Sequence, residues 1–245
     1  MKILKDINNK KQVAELYKEL GATFITPHTE LVEKLPLIKA FVFDWDGVFN
    51  SGFKGVSASS TFAEPDISGI NLLRYAYYLH YGEIPSVVII TGEANENSVK
   101  IAMRENYNFV YQKVVNKVDA CIDMMSKLNL VAGEVACVFD DFNDSSMAKI
   151  CALRYLINRP ASPVFTSYLV NNNFCDYITA NIQPNNPIRE ICELNMALLG
   201  KFVDAVDSRT HFDEVYKKYM GKRSMIKPEF YALYKGTFSE VISTH

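Results

Sequence analysis

Three short runs, AFVFD at 40–44, SVVIIT at 86–91 and VACVFD at 135–140, are apolar at nearly every position. A strand with one wet face alternates apolar and polar residues, so an unbroken run of this length belongs to a strand covered on both faces. Segments with helical character separate the runs: ISGINLLRYAYYLHY at 67–81, a stretch near 95–105 and another near 115–129. FVY at 109–111, RYLI at 154–157 and DYIT at 176–179 extend the series of short strands. Strands that alternate with helices predict an α/β domain built on a parallel sheet.

The flanks read differently. KKQVAELYKEL at 10–20 places Val13, Leu16, Tyr17 and Leu20 at helical spacing before Gly21. From Pro187 the chain reads as a helix, PIREICELNMALLGKFVDAV, and then as a polar tail rich in aromatics. We therefore expect an N-terminal helical extension at 1–38, a central domain at 39–200 and a C-terminal helical extension at 201–245. A formal charge of −2 offers no basic surplus for nucleic acid or an anionic membrane, so a small-molecule partner is expected. The five cysteines, Cys121, Cys137, Cys151, Cys175 and Cys192, form no CxxC pair and lie mostly in apolar stretches. With no signal-peptide pattern and no apolar run of membrane-spanning length, the expected setting is the reduced cytoplasm.

The polar residues gather at the strand ends. Asp44 closes the first run and is followed by Asp46 and Gly47; Thr91 closes the second; Asp140 and Asp141 close the third, with Asp144 in the turn beyond. Ligands of open parallel sheets bind in the crevice beyond the carboxyl ends of the strands. Lys117 follows in a loop or a first helical turn. Each piece has a plain structural reading, since an aspartate after a strand often caps a turn and a lone lysine is usually solvated. The ordered set, DxDG, strand-Thr-Gly, Lys and strand-DDxxD, points instead to one site for phosphoryl transfer. Asp44 and Asp140 would ligate magnesium, a hard cation that takes oxygen donors. Lys117 and the Thr91 hydroxyl would hold phosphate oxygens, and Asp46 would give a proton to the leaving oxygen and later activate water.

This set resembles the motifs of the haloacid dehalogenase (HAD) superfamily over about Phe41 to Leu199. Within it the chain is most similar to the 3-deoxy-D-manno-octulosonate 8-phosphate and acylneuraminate 9-phosphate phosphatases. The segments that carry the likeness are FDWDGVFNSG, PDISGI with Asp66 and Gly69, IITGE, YQKVVNK, FDDFNDSSM, DYITAN and PIREICEL. The resemblance implies a Rossmann-like HAD fold without a large cap domain. It implies Asp44 as nucleophile, and Asp46 as general acid/base and donor of a main-chain carbonyl to the metal. Asp140 would be a direct ligand, with Asp141 and Asp144 supporting the metal. It also implies a substrate site including Thr91, Gly92, Lys117, Asp66 and Arg189, and a homo-oligomer, as in the tetrameric phosphatases of the group.

Three positions depart from the group's pattern: Phe139 replaces the Gly before the aspartate pair, Glu93 replaces the Arg after Thr-Gly, and NNP replaces a Gly-rich run before Arg189 and Glu190. We expect Glu93 to face solvent, and either a substrate-carboxylate or a structural role for Arg159 and Arg189. Tyr75, Tyr77 and Tyr78 read as helix packing, and the scattered His28, His80, His211 and His245 support no histidine-based chemistry. The Gly- and Ser-rich stretch between Asp46 and Ile67 is too short for a cap domain and suits a β-hairpin flap, with Phe53 and Lys54 placed against a neighbouring subunit. The leading expectation is a magnesium-dependent phosphatase for a sugar-acid phosphate. Its rivals keep the mechanism but act on another sugar phosphate or a nucleotide, or use the fold as a weakly catalytic assembly module.

Overall fold

The computed structural model describes residues 3–54, 60–234 and 236–241. Helix α1 (Lys10–Glu19), strand β1 (Thr23–Phe24) and helix α2 (His28–Lys34) lead into β2 (Ala40–Asp44). Then come α3 (Glu64–Tyr81), β3 (Ser86–Ile90), α4 (Glu96–Glu105), β4 (Phe109–Gln112) and α5 (Lys117–Leu128). The chain continues through β5 (Val135–Phe139), α6 (Ser145–Ala148), β6 (Leu153–Leu156), α7 (Pro163–Asn171) and β7 (Tyr177–Ile178). It closes with α8 (Pro187–Leu198), α9 (Phe202–His211), α10 (Glu214–Ser224), β8 (Glu229–Tyr234) and β9 (Thr237–Glu240).

The strands form one sheet in the order β1-β7-β6-β5-β2-β3-β4-β8-β9. Every pairing is parallel except those of the edge strands β1 and β9. The continuous apolar runs follow from burial on both faces. Phe41 and Phe43 of β2 join Val87 and Ile89 of β3 in one core, while Ala40, Val42, Val88 and Ile90 join the other. Each large side chain so buried contributes about 1.5–3 kcal/mol. The first core is closed by residues of α3, α8 and α1, the second by residues of α5 and α6.

The topology fixes where a ligand can sit. After β2 the chain builds outward through β3 and β4, then crosses back to place β5 on the other side of β2. Strand order reverses between β2 and β5, and the loops leaving their carboxyl ends diverge and open a crevice there.

Some local expectations change. The long helix from Pro187 is two helices, broken at Gly200, whose φ of 72° lies in the left-handed region that glycine adopts freely. The segment from 201, expected to be helical, also carries β8 and β9, and β8 pairs with β4 in the main sheet. Its sequence EFYALY buries Phe230 and Tyr231 against the sheet, a tertiary contact that local pattern does not reveal. Residues 55–59 of the expected hairpin lie outside the described residues, and 51–54 and 60–63 beside them carry no strand. Among the described residues no separate cap unit interrupts the fold, and no helix is long and apolar enough to cross a membrane.

Candidate active site

The crevice at the strand reversal is a cavity of about 520 Å³ lined by Asp44, Asp46, Gly92, Lys117, Asp140, Asp141 and Asp144, among others. Asp44 is the last residue of β2, Asp140 follows β5, and Lys117 opens α5. Gly47 has φ of 91°, and a Cβ there would collide with the Asp140 carboxylate and the Arg159 guanidinium. Glycine is required at this turn for conformation and for space.

The central charges are buried. Lys117 Nζ meets the Asp44 carboxylate and lies 2.5 Å from Asp144 Oδ1. Arg159 pairs with Asp140 Oδ2. Burial, reinforced by Asp144 and Asp140, pushes Asp44 well above the usual carboxylate range despite the opposing pull of Lys117. Burial and the neighbouring Asp144 likewise push Asp140 up to about 7. Burial alone would lower Lys117, yet Asp44 and Asp144 hold it above its ordinary value. Three carboxylates face two cations at close quarters, and Asp44 and Asp140 hold their protons more tightly as a result.

A divalent cation fits this arrangement. Asp44, Asp140 and Asp144 each offer an oxygen within 4.8 Å of the others. Both Asp140 oxygens and Asp144 Oδ1 are buried without an aligned hydrogen bond, although Arg159 and Lys117 stand within ion-pair reach. Buried carboxylate oxygens need compensation, and an ion that takes hard oxygen ligands supplies it.

The remaining expected residues divide. Asp46 lines the same cavity but its carboxylate lies outside the three-acid cluster: it accepts from Ser60 Oγ at 2.7 Å and pairs with Lys54 Nζ at 2.9 Å. Asp141 also stands outside that cluster and turns its carboxylate to the N–H of Phe142 at 2.7 Å, capping the turn that presents Asp144. Asp144 itself sits within the cluster, closer to a direct ligand than the supporting role first expected of it. Thr91 is buried just beyond β3, its N–H bonded to the Tyr111 carbonyl at 2.9 Å, and Gly92 beside it reaches the cavity wall.

Asp66 and Arg189, expected at the substrate, are absent from this cavity's lining. Asp66 is fully buried and accepts the Arg189 N–H at 2.8 Å, capping the first turn of α8. Its second oxygen faces Gln183 Nε2 at 3.3 Å, and that amide also donates to the Val48 carbonyl just after Gly47. Asp66 thus steadies the DWDG turn from behind, and the spacing of PDISGI gives no hint of this distant partner. Glu190, not singled out as a site residue, accepts from Tyr177 Oη, the N–H groups of Ala180 and Asn181, and Asn181 Nδ2 at 2.6–2.8 Å. It locks the DYITAN segment to α8.

Sequence reasoning placed Lys54 against a neighbouring subunit beside its active site and did not foresee its pairing within this chain's own cavity, and it missed Ser60. Lys54 bridges Asp46 and Glu93, at 3.0 Å from the latter, so the expected solvent-facing Glu93 is exposed yet paired at the cavity rim. Lys54 pairs within its own chain, and no alternation or motif in the Gly- and Ser-rich stretch tells which acids it meets. Arg159, left open between substrate and structure, lies against Asp140.

No family model matches the sequence. Solved structures do. A 3-deoxy-D-manno-octulosonate 8-phosphate phosphatase from Moraxella catarrhalis, in complex with magnesium ion, phosphate ion and KDO, is similar with a TM-score of 0.62 and 21% identity, over 74% of this chain and 98% of that one. A structure from Legionella pneumophila assigned to the HAD superfamily (subfamily III A) hydrolases matches with a TM-score of 0.62 and 24% identity, over 75% of this chain and 95% of that one. The cobalt-bound phosphatase of the first kind from Haemophilus influenzae gives 0.58 and 21%, over 69% and 93%.

The fold is that of the HAD superfamily hydrolases. The cavity described above is built on β2, β3 and β5 at the centre of the sheet.

Proposed function

We propose that the protein is a magnesium-dependent phosphomonoesterase acting through an aspartyl-phosphate. The observation that carries this reading is the buried set of Asp44, Lys117, Asp140 and Asp144 within one cavity at the strand reversal. Asp44, Asp140 and Asp144, with the main-chain carbonyl of Asp46, would hold magnesium, which neutralises charge on a bound phosphate.

The steps fall to the chain's own groups. An Asp44 oxygen attacks phosphorus as the bond to the leaving oxygen breaks, and the Asp46 carboxyl protonates that oxygen. Water, deprotonated by Asp46, then attacks phosphorus, releasing phosphate and restoring the Asp44 carboxylate. Lys117 fixes the Asp44 carboxylate and, with Thr91 and the backbone at Gly92, offers donors to the phosphate oxygens. Asp141 supports the metal through the turn it caps.

We infer a sugar-acid phosphate of the 3-deoxy-octulosonate 8-phosphate or nonulosonate 9-phosphate type as substrate, on the motif resemblance and the phosphatases that share the fold. Phosphate release measured on sugar-acid phosphates, simple sugar phosphates and nucleotides, with magnesium or with EDTA, tests both levels. The expected result is magnesium-dependent turnover led by the sugar acids. Turnover led by nucleotides would overturn the substrate, and none on any substrate would overturn the enzyme in favour of an assembly role.

We further propose a cytoplasmic homo-oligomer, most simply a tetramer. Five buried free thiols agree with a reducing setting, and Phe53 and Val115, 83% and 88% exposed, offer apolar surface in the loops around the cavity. A fully active monomer in sedimentation would overturn the assembly.

A further inference from the structure

A second cavity, of about 480 Å³, lies between α3, α4, α8, α9 and α10. Arg189, Arg209 and Arg223 line it, together with the hydroxyl-bearing Ser68 and Thr210, against a single carboxylate, Glu105. Glu105 is already committed: it accepts from Asn71 Nδ2 and Arg104 Nε, each at 2.6 Å, and lies 3.6 Å from Arg223 Nη1. Arg209 stands over the Tyr216 ring at 5.0 Å and pairs with no carboxylate among the described residues. Arg189 gives its Nε to Glu193. Behind the wall, the fully buried Arg74 gives its guanidinium to the carbonyls of Glu105 and Asn106, adding positive charge there.

Positive charge gathered in a concave site of a chain whose formal charge is −2 calls for an anion. Guanidinium forks match the oxygens of phosphate, and with Arg189 tied to Glu193 the lining still sets Arg209 and Arg223 against its one carboxylate, Glu105. We propose that this cavity binds a small phosphate-bearing molecule, separately from the carboxylate-lined site. Arg209 and Arg223 grip the phosphate, while the Ser68 and Thr210 hydroxyls complete its shell. Three of the five elements lie at or beyond α8, so the C-terminal segment has a binding role of its own.

The test is calorimetric titration of inorganic phosphate into the full chain with EDTA present, where the carboxylate site repels the anion. One phosphate per chain is expected, with affinity falling about tenfold or more in Arg209→Gln, the size of one lost charge-assisted hydrogen bond. Arg209 is exposed, so this variant keeps its fold, and Arg223→Gln gives an independent second reading. Asp44→Asn retains the phosphate. No binding by the wild type, unchanged affinity in both arginine variants, or malonate binding as tightly as phosphate would overturn the proposal.

Discussion

The two cavities are nearly equal in volume and opposite in charge, about 520 Å³ lined by aspartates and about 480 Å³ lined by arginines. They are also built differently. The first takes its key groups from strand ends, where the backbone hydrogen bonds of β2, β3 and β5 hold the register and each motif residue emerges at a set height. The second takes its residues from five helices, whose faces meet only after the core has packed. A site on a sheet edge is precise because the sheet is; a site between helices depends on how closely they approach. Gly69 shows the dependence, since a Cβ there would lie 3.0 Å from Arg189 Cδ and 3.3 Å from the Cys192 Cβ, pushing α3 away from α8.

The largest expected effect separates the cavities outright. Asp44→Asn should lower phosphate-ester turnover by on the order of 10⁴-fold or more, because an amide cannot form the acyl phosphate. The fold should persist with a melting temperature near that of the wild type, since Lys117 keeps Asp144 as its partner. Steady-state kinetics and a thermal melt check this pair of outcomes. Substantial magnesium-dependent activity in the variant would remove Asp44 as nucleophile.

The same contrast explains what the sequence disclosed. Asp44, Thr91, Lys117, Asp140 and Asp144 were legible because strand pattern and chain order place them on one edge, whatever the details of packing. The boundaries of β2, β3 and β5 were legible for the same reason, their apolar runs being long and unbroken. Arg209 and Arg223 carry no such signal, as nothing local says that α9 and α10 fold back onto α3. Asp66 looked like a site residue through resemblance, yet its carboxylate serves the amide end of α8, a partner 123 residues away. Strand β8 was hidden because EFYALY follows a polar helix and acquires its role only by pairing with β4.

Asp66 lies between the two regions, holding the Arg189 N–H on one side and, through Gln183, the DWDG turn on the other. Burial raises it from 3.8 to about 6, opposed by the Arg189 N–H and Gln183. The folded state therefore holds this proton more tightly than the unfolded chain. Its contribution is fully present below about 4 and is lost as pH rises through about 6. The loss is up to roughly 3 kcal/mol for a shift of about two units. Urea unfolding of Asp66→Asn at successive pH values should show that slope removed. Asp66→Ala, which also uncaps α8, should lose a further 1 kcal/mol or so at every pH. An unchanged slope in the Asn variant would assign the titration to another group.

The smallest effect tests whether the acidic cavity's loose cation is structural. Lys54 is about half exposed and pairs with Asp46 at 2.9 Å and Glu93 at 3.0 Å. Ion pairs this open to water contribute about 0–1 kcal/mol, because solvent screens them and the lysine loses rotamer freedom. Lys54→Met should thus leave unfolding free energy within about 0.5 kcal/mol of wild type. Its effect should appear in binding: the cavity loses its rim cation while Glu93 stays, so an anionic substrate meets more repulsion and KM should rise by roughly tenfold or less. The carboxylate of Asp46 and its Ser60 contact remain, so kcat should change little. Adding Glu93→Gln to Lys54→Met removes the unpaired acid and should return KM toward wild type. A KM unchanged in the single variant, or a collapse of kcat alone, would show that Lys54 serves the chemistry of Asp46 and not the approach of the anion.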